Sequence, residues 1–305
     1  MQCKMRINFS NPFNGRKWLS LLKPSKRYGL SFDKEVVLND KFLNFSFSTN
    51  EFGLRGISNP NASTVICGTS YAMGLSVNIG ENWYDLISKE GLNFMNIGFP
   101  VGTENHNNRL EDLYKGDFSK LIFIYHPNNW ITSYNFYLAG NQSQDIFEFM
   151  GWKTKLLDVI KIYPKWMIKQ FVKRIKKRNI YYKLNRRRYF LNTNYSYIDL
   201  NTKENFVIHE VNQLNKLFSL FKDVILVRVP IKEQILSSKI NNFNLERLNQ
   251  NYECNYDLFK KNINHDSVTE IDMLTFFEIE DYHPYDTHWN KNGNEVFYNE
   301  IRRFF

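Results

Sequence analysis

The sequence predicts an α/β fold, a three-layer sandwich in which helices cover both faces of a central parallel sheet. Two observations predict it. From residue 64 onward, short β-prone apolar runs alternate with longer stretches whose apolar residues recur every three or four positions, the periods of strands and amphipathic helices. Such alternation implies right-handed βαβ units, hence parallel strands buried on both faces. The second observation is one of placement. Residues able to do chemistry follow the predicted strands, on the one edge where open α/β sheets bind ligands.

Taken in order, residues 1–62 read as an irregular, polar-aromatic N-terminal extension packed on a core domain spanning 63–305. The run Thr64 to Cys67 is a strand stopped by Gly68. Further strands are predicted over Asn93 to Ile97, Lys120 to His126, Asp223 to Val229 and Val268 to Met273. Helices are predicted over Asn82 to Lys89, Glu104 to Tyr114, Glu204 to Phe221, Lys232 to Ile240 and Asn294 to Phe304. Residues 131–196 break the alternation and read as an insertion. Within it, 155–178 carries Leu156, Ile160, Tyr163, Met167, Phe171 and Ile175 at helical spacing with lysines on the remaining faces, and Pro164 kinks or divides that helix.

At 305 residues the chain is long enough for one large domain with an insertion. Its net charge of +9 is unevenly spread: residues 153–188 hold 14 Lys/Arg against the single acid Asp158, more than the whole excess. Three readings of that segment stand side by side: a solvated helix covering the core, a helix lying on an anionic membrane surface, or a site for an acidic glycan or nucleotide donor. Nucleic acid is disfavoured, because Lys173 to Arg178 and Arg186 to Arg188 come with no nucleic-acid-binding fold signature. Cys3, Cys67 and Cys254 are an odd set without CxxC spacing, which indicates neither a disulfide framework nor a zinc cluster and fits a reducing compartment. No run approaches the roughly 18 apolar residues of a membrane span, and Lys4, Arg6, Arg16 and Lys17 interrupt any leader-like apolar region. The expected location is cytoplasmic, with the inner membrane face as a peripheral site.

The chemistry-bearing residues are Ser70, just past the first strand, and Asp286 with His288 in the loop before the last helix. A serine hydroxyl is a weak nucleophile until a base takes its proton and a third group orients that base, and these are the three residue types required. Gly98 and Gly102 follow the second strand, Asn128 and Asn129 the third. A second D-x-H pair, Asp281 and His283, lies close by, and the four side chains together could imitate a metal site, although spacing offers no further ligand. His106, His126, His209 and His265 read as structural or exposed.

Five blocks in order carry a resemblance: GTSYAMG (68–74), NIGFPVGT (96–103), YHPNNW (125–130), LVRVPIKEQI (226–235) and DTHWNKNG (286–293). Together they resemble the SGNH hydrolase superfamily, also called GDSL esterases, and especially its branch acting on acylated sugars. The resemblance implies a flavodoxin-like SGNH fold, with Ser70 as nucleophile, His288 as general base and then acid, and Asp286 as the group that orients the imidazole. It implies an oxyanion hole made by the backbone N–H of Ser70, the backbone N–H of Gly102 and the side-chain amide of Asn128. No tightly bound cofactor is implied; acetyl-CoA or another acetyl donor would be needed by a transferase. The expected substrate is an O-acetylated sugar or surface glycan, sialylated ones included, with esterase and O-acetyltransferase both open.

Three departures from the family pattern matter. Thr69 stands where the family has aspartate. The second block is one residue short, so Gly102 is the oxyanion glycine by a one-residue shift, with Val101 at the unshifted position. Pro127 and Asn129 replace glycine and aspartate in the third block, which leaves Asn129 as a substitute for Asn128. These departures keep a second reading open, a non-catalytic glycan- or membrane-binding protein with the same fold.

Overall fold

The computed structural model describes residues 23–25, 27–33, 37–40, 45–56, 58–126, 129–130, 132–134, 137, 180–184, 187–191, 203–237, 239, 243–284 and 286–305. Two antiparallel hairpins come first, β1 (Lys23–Ser25) with β2 (Gly29–Ser31) and β3 (Val37–Asp40) with β4 (Phe45–Ser48). The central alternation follows: β5 (Thr64–Gly68), α1 (Trp83–Lys89), β6 (Phe94–Asn96), α2 (Thr103–Leu113) and β7 (Lys120–Tyr125). A further hairpin, β8 (Ile180–Leu184) with β9 (Arg187–Leu191), precedes α3 (Glu204–Ser219), β10 (Asp223–Arg228), α4 (Lys232–Ser237), α5 (Phe243–Asn262), β11 (Val268–Asp272) and α6 (Lys291–Ile301).

Five strands form one parallel sheet in the order β6-β5-β7-β10-β11. The first two strands of this sheet in chain order, β5 and β6, sit at one side and the rest run to the other, so the order reverses between β5 and β7. Right-handed crossovers then put α1 and α2 on opposite faces. Contacts agree with that. On one face α1 packs against α6, with Trp83 and Phe297 rings 4.9 Å apart; on the other α2 packs against α3, and Phe123 of β7 meets Phe218 of α3 and Phe259 of α5. Helices thus cover both faces of the sheet, as the sequence predicts. A switch point of this kind opens a crevice at the carboxyl ends of the two strands that flank it.

The central strands are apolar because both faces are covered: β5 is buried along its length, as are β7 and β10 after their first residues. The edge strand β11 is exposed at Thr269, Glu270 and Asp272, which blunts pairing with another chain. Gly68 closes β5 at φ +142°, and a Cβ there would lie 2.6 Å from the Ile124 carbonyl oxygen of β7, so only glycine fits this close strand end. Arg55 fastens the N-terminal residues to the turn after β5: its guanidinium is buried over the Phe47 ring and donates to the Gly74 and Val77 carbonyls.

Several expectations are corrected. The stretch before residue 63 is not wholly irregular, since it contains the β1–β2 and β3–β4 hairpins. The 20-residue helix α5 is absent from the predicted set, because its asparagines (244, 249, 251, 255 and 262) depress helix propensity. Its buried face, Tyr252, Tyr256 and Phe259, nonetheless has helical spacing. The last helix begins at Lys291, not Asn294, because the Asn290 side chain caps it by accepting from the Gly293 N–H. α3 and α4 stop at Ser219 and Ser237, short of the predicted Phe221 and Ile240. The basic stretch 155–178 lies outside the described residues, as does most of 131–196.

Candidate active site

Ser70 sits in a tight turn immediately beyond β5, beside the switch point. The turn is closed by Met73 N–H to Thr69 O, Gly74 N–H to Tyr71 O and Leu75 N–H to Ser70 O. It is also tied to the next strand end: Asn96 donates to Ala72 O (2.9 Å) and its side-chain oxygen accepts the Gly98 N–H (2.8 Å). A Cβ on Gly98 would stand 2.5 Å from that of Ala72, so glycine is required for this approach. Thr69, in the family's aspartate position, keeps its hydroxyl buried with no hydrogen-bond partner among the described residues.

The loop before α6 brings Asp286 and His288 to the same place. His288 Nε2 lies 2.7 Å from Ser70 Oγ, across 218 residues of chain, and its Nδ1 is hydrogen-bonded to Asp286 Oδ1. The same carboxylate oxygen accepts the His288 backbone N–H at 2.9 Å. With a carboxylate facing Nδ1, the ring proton sits there, which leaves Nε2 to accept the Ser70 O–H. Asp286 and His288 are 2% and 7% exposed and Ser70 8%, so all three are shielded except where the site opens. A hydroxyl, an imidazole and a carboxylate in this order can pass a proton from serine to histidine and hold the imidazolium that results.

Aromatic rings fix the histidine. Tyr71 stacks on His126 at 4.1 Å, lies 5.1 Å from His288 and 4.9 Å from Trp289, and donates its hydroxyl to Thr287 O at 2.6 Å. Burial drives the Tyr71 phenol well above its ordinary range, so it stays a neutral donor; burial, and then the His288 charge, hold His126 well below the ordinary histidine range. His106 is likewise buried and kept neutral, pushed down to about 3 by burial and then by Arg109.

For the oxyanion donors, the N–H groups of Gly98 and Val101 are engaged, by Asn96 Oδ1 and Phe99 O respectively. Gly102 caps the N-terminus of α2 with its carbonyl, and its N–H and that of Ser70 have no partner among the described residues. Asn128 lies outside the described residues. The side-chain oxygen of Asn129 accepts the His126 N–H at 2.9 Å in the turn after β7, a bond that uses its acceptor and not its amide donors. The second D-x-H pair is engaged in the frame: Asp281 accepts the Glu278 N–H within a capping box, and His283 Nε2 is 2.8 Å from Ser76 O. Of the remaining histidines, His265 bonds Phe221 O and His209 sits near Glu104.

No protein-family profile and no curated protein matches the chain. Solved structures do overlap with it. A lipolytic G-D-S-L family protein from Veillonella parvula aligns over 79% of this chain and 97% of its own, at 14% identity and a TM-score of 0.37. LAE5, an α/β hydrolase from the metagenome of Lake Arreo, covers 80% of this chain and 94% of its own at 9% identity, TM-score 0.40. Axe2, an acetylxylan esterase from Geobacillus stearothermophilus, covers 79% and 92% at 10% identity, TM-score 0.36. Likeness at this level says nothing of activity, which has to be argued from the side chains.

Several residues around the site have no role assigned by the sequence. Lys232 reaches the Asp286 loop from the start of α4, Tyr71 and His126 wall the histidine, and Glu210 lies behind Thr103, next to Gly102. The sequence signal was the run of three polar residues, Lys232, Glu233 and Gln234, shortly after an apolar strand at the ligand-binding edge; the structure buries all three, an unusual fate for such residues.

Proposed function

We propose that this protein is a serine-dependent acyl-ester enzyme acting on O-acetyl groups of a sugar or surface glycan. The observation that carries the reading is the hydrogen-bonded order Ser70, His288, Asp286 at the sheet's switch point. Ser70 Oγ attacks the ester carbonyl while His288 Nε2 takes its proton, and Asp286 stabilises the imidazolium. The imidazolium then protonates the departing alcohol, leaving an acetyl-serine. Negative charge on the carbonyl oxygen is met by the N–H groups of Ser70 and Gly102 and the amide of Asn128, each such donor being worth roughly 3 to 4 kcal/mol of barrier. The engaged N–H of Val101 supports Gly102 in this role.

The acetyl-enzyme is resolved by water in an O-acetylesterase or by a sugar hydroxyl in an O-acetyltransferase. A transferase would load from acetyl-CoA or another acetyl donor, and neither route needs a tightly bound cofactor. The basic residues 155–188 fit an anionic membrane surface, where a lipid-linked or acidic glycan, such as a sialylated one, would be met. On this reading the protein works in the cytoplasm, at the inner face of the membrane.

The test is hydrolysis of p-nitrophenyl acetate by the purified protein beside Ser70→Ala and His288→Ala. Each substitution is expected to lower kcat on the order of 10⁴- to 10⁶-fold, and the double variant to be no worse than either alone, because the two groups act as a unit. Glycan acceptors added to the active protein then separate transferase from esterase. Turnover indifferent to both substitutions would sink the enzymatic reading in favour of a binding protein.

A further inference from the structure

The Asp286–His288 loop has a stabiliser that the serine mechanism does not use. Between the bridged residues Tyr282 and Trp289, the described residues 283, 284 and 286–288 are neither helix nor ladder, so their carbonyls need other partners, and a buried carbonyl without one is costly. The loop answers part of this itself, with Asp286 N–H to His283 O and His283 N–H to His288 O. Tyr71 takes the Thr287 carbonyl. Among the described residues, the carbonyls of Pro284 and Asp286, and that of His283 a second time, converge on one atom. Lys232 Nζ lies 3.2 Å from His283 O, 3.4 Å from Pro284 O and 2.8 Å from Asp286 O, and the lysine is wholly buried.

Three carbonyl dipoles aimed at one point repel each other unless a cation fills it. An ammonium has three donors radiating from a single atom and no acceptor, so lysine matches this geometry; the planar fork of arginine does not. We propose that Lys232 is a positioning residue for the acid–base pair: by gathering the carbonyls of His283, Pro284 and Asp286 it fixes the loop that holds the Asp286 carboxylate against His288. The proposal rests on the reading of Ser70, His288 and Asp286 as the working site. Asp286 is then held at both ends, its carbonyl by the ammonium and its carboxylate by the His288 ring and backbone N–H.

The ammonium also carries a charge: a cation near a carboxylate–imidazole pair favours carboxylate over imidazolium, so removing it is expected to raise the proton affinity of His288. Among the described residues, Glu233 on its own helix is the charged group that acts on it, and the titratable loop residues His283 and Asp286 meet it through their carbonyls. Burial pulls Lys232 down to about 8 while Glu233 pulls the other way, so the ammonium form prevails at neutral pH and below.

The experiment combines lysine-ammonium and histidine-ring NMR with turnover, in the wild type, Lys232→Met and Lys232→Arg. In the wild type at pH 6, one ammonium is expected to exchange slowly with water and to show proton contacts to residues 283–286. Absence of such a signal overturns the proposal without recourse to any variant. Methionine keeps the volume and removes charge and donors, so the His288 titration is expected to rise by roughly one pH unit. In parallel, kcat on p-nitrophenyl acetate is expected to fall tenfold or more with KM within about twofold, and arginine is expected not to rescue either value. A folded Lys232→Met protein with wild-type His288 titration and kcat would also overturn it. Ser70→Ala run alongside keeps the two readings apart: turnover indifferent to Ser70 defeats the serine reading, while the ring titration still decides what Lys232 does.

Discussion

Glu210 is a buried carboxylic acid with a measurable consequence. It is 4% exposed on α3 and accepts hydrogen bonds from Thr103, the residue after Gly102, and from Ser133 at 2.7 Å. Burial pushes its acid from an ordinary 4.5 up to about 7, against the pull of those two hydroxyls. The folded chain therefore holds this proton more tightly than the unfolded chain does. The stabilisation is full below about pH 4.5, is lost as pH rises to about 7, and is gone above it. Glu210→Gln, a neutral isostere, should lack this slope, so that between pH 5 and pH 8 the wild type loses roughly 2 to 3 kcal/mol more stability than the variant. Urea midpoints at the two pH values measure it, and parallel slopes would refute it. Tyr71 and Lys232 stood inside sequence blocks 68–74 and 226–235 without a role of their own, and Glu210 stood in none, because each acts through a contact made by distant chain. Ser70, Asp286 and His288 were legible as residue types at one sheet edge, whereas their hydrogen-bond order required the fold.

At the scale of elements, the strand ends decide whether the site assembles. β5 and β7 flank the switch point, and Gly68 lets β5 turn away with its backbone hard against Ile124. Gly68→Ala would place a methyl 2.6 Å from a backbone oxygen and force φ +142° on a residue with a Cβ, a strain on the order of 1 to 3 kcal/mol before the clash is counted. Both the urea midpoint and Ser70-dependent turnover should fall, since the residue two places on is Ser70 itself. A Gly68→Ala protein equal to wild type in both would show that the turn relaxes freely. Elements differed in how plainly the sequence wrote them. β5, β7 and β10 stood out because strands covered on both faces are apolar throughout. The N-terminal hairpins are three or four residues per strand and carry too short a pattern to register, and the asparagines of α5 masked a face that Tyr252, Tyr256 and Phe259 nevertheless bury.

At the scale of the whole molecule, charge is segregated. The parallel sheet followed from the alternation of periods, whereas the charge of the chain is concentrated in one stretch. Residues 153–188 hold 14 basic residues and one acid, whereas the rest of the sequence is slightly acidic, so attraction to an anionic surface would be strongest through this stretch. Each Lys or Arg near an anionic leaflet contributes about 1 kcal/mol, and the attraction fades as the Debye length shrinks from about 10 Å at 0.1 M salt to 3 Å at 1 M. The protein should therefore sediment with phosphatidylserine-containing vesicles at low salt, stay in solution with phosphatidylcholine vesicles, and leave the former at 1 M salt. Replacing Lys173, Arg174, Lys176, Lys177 and Arg178 together by glutamine should abolish sedimentation. Turnover of p-nitrophenyl acetate should be unchanged, because a small soluble ester reaches Ser70 without a surface. Sedimentation that persists in the fivefold variant would place membrane contact elsewhere, and failure of the wild type to sediment at low salt would return the basic segment to a solvated cover or a site for a free acidic glycan.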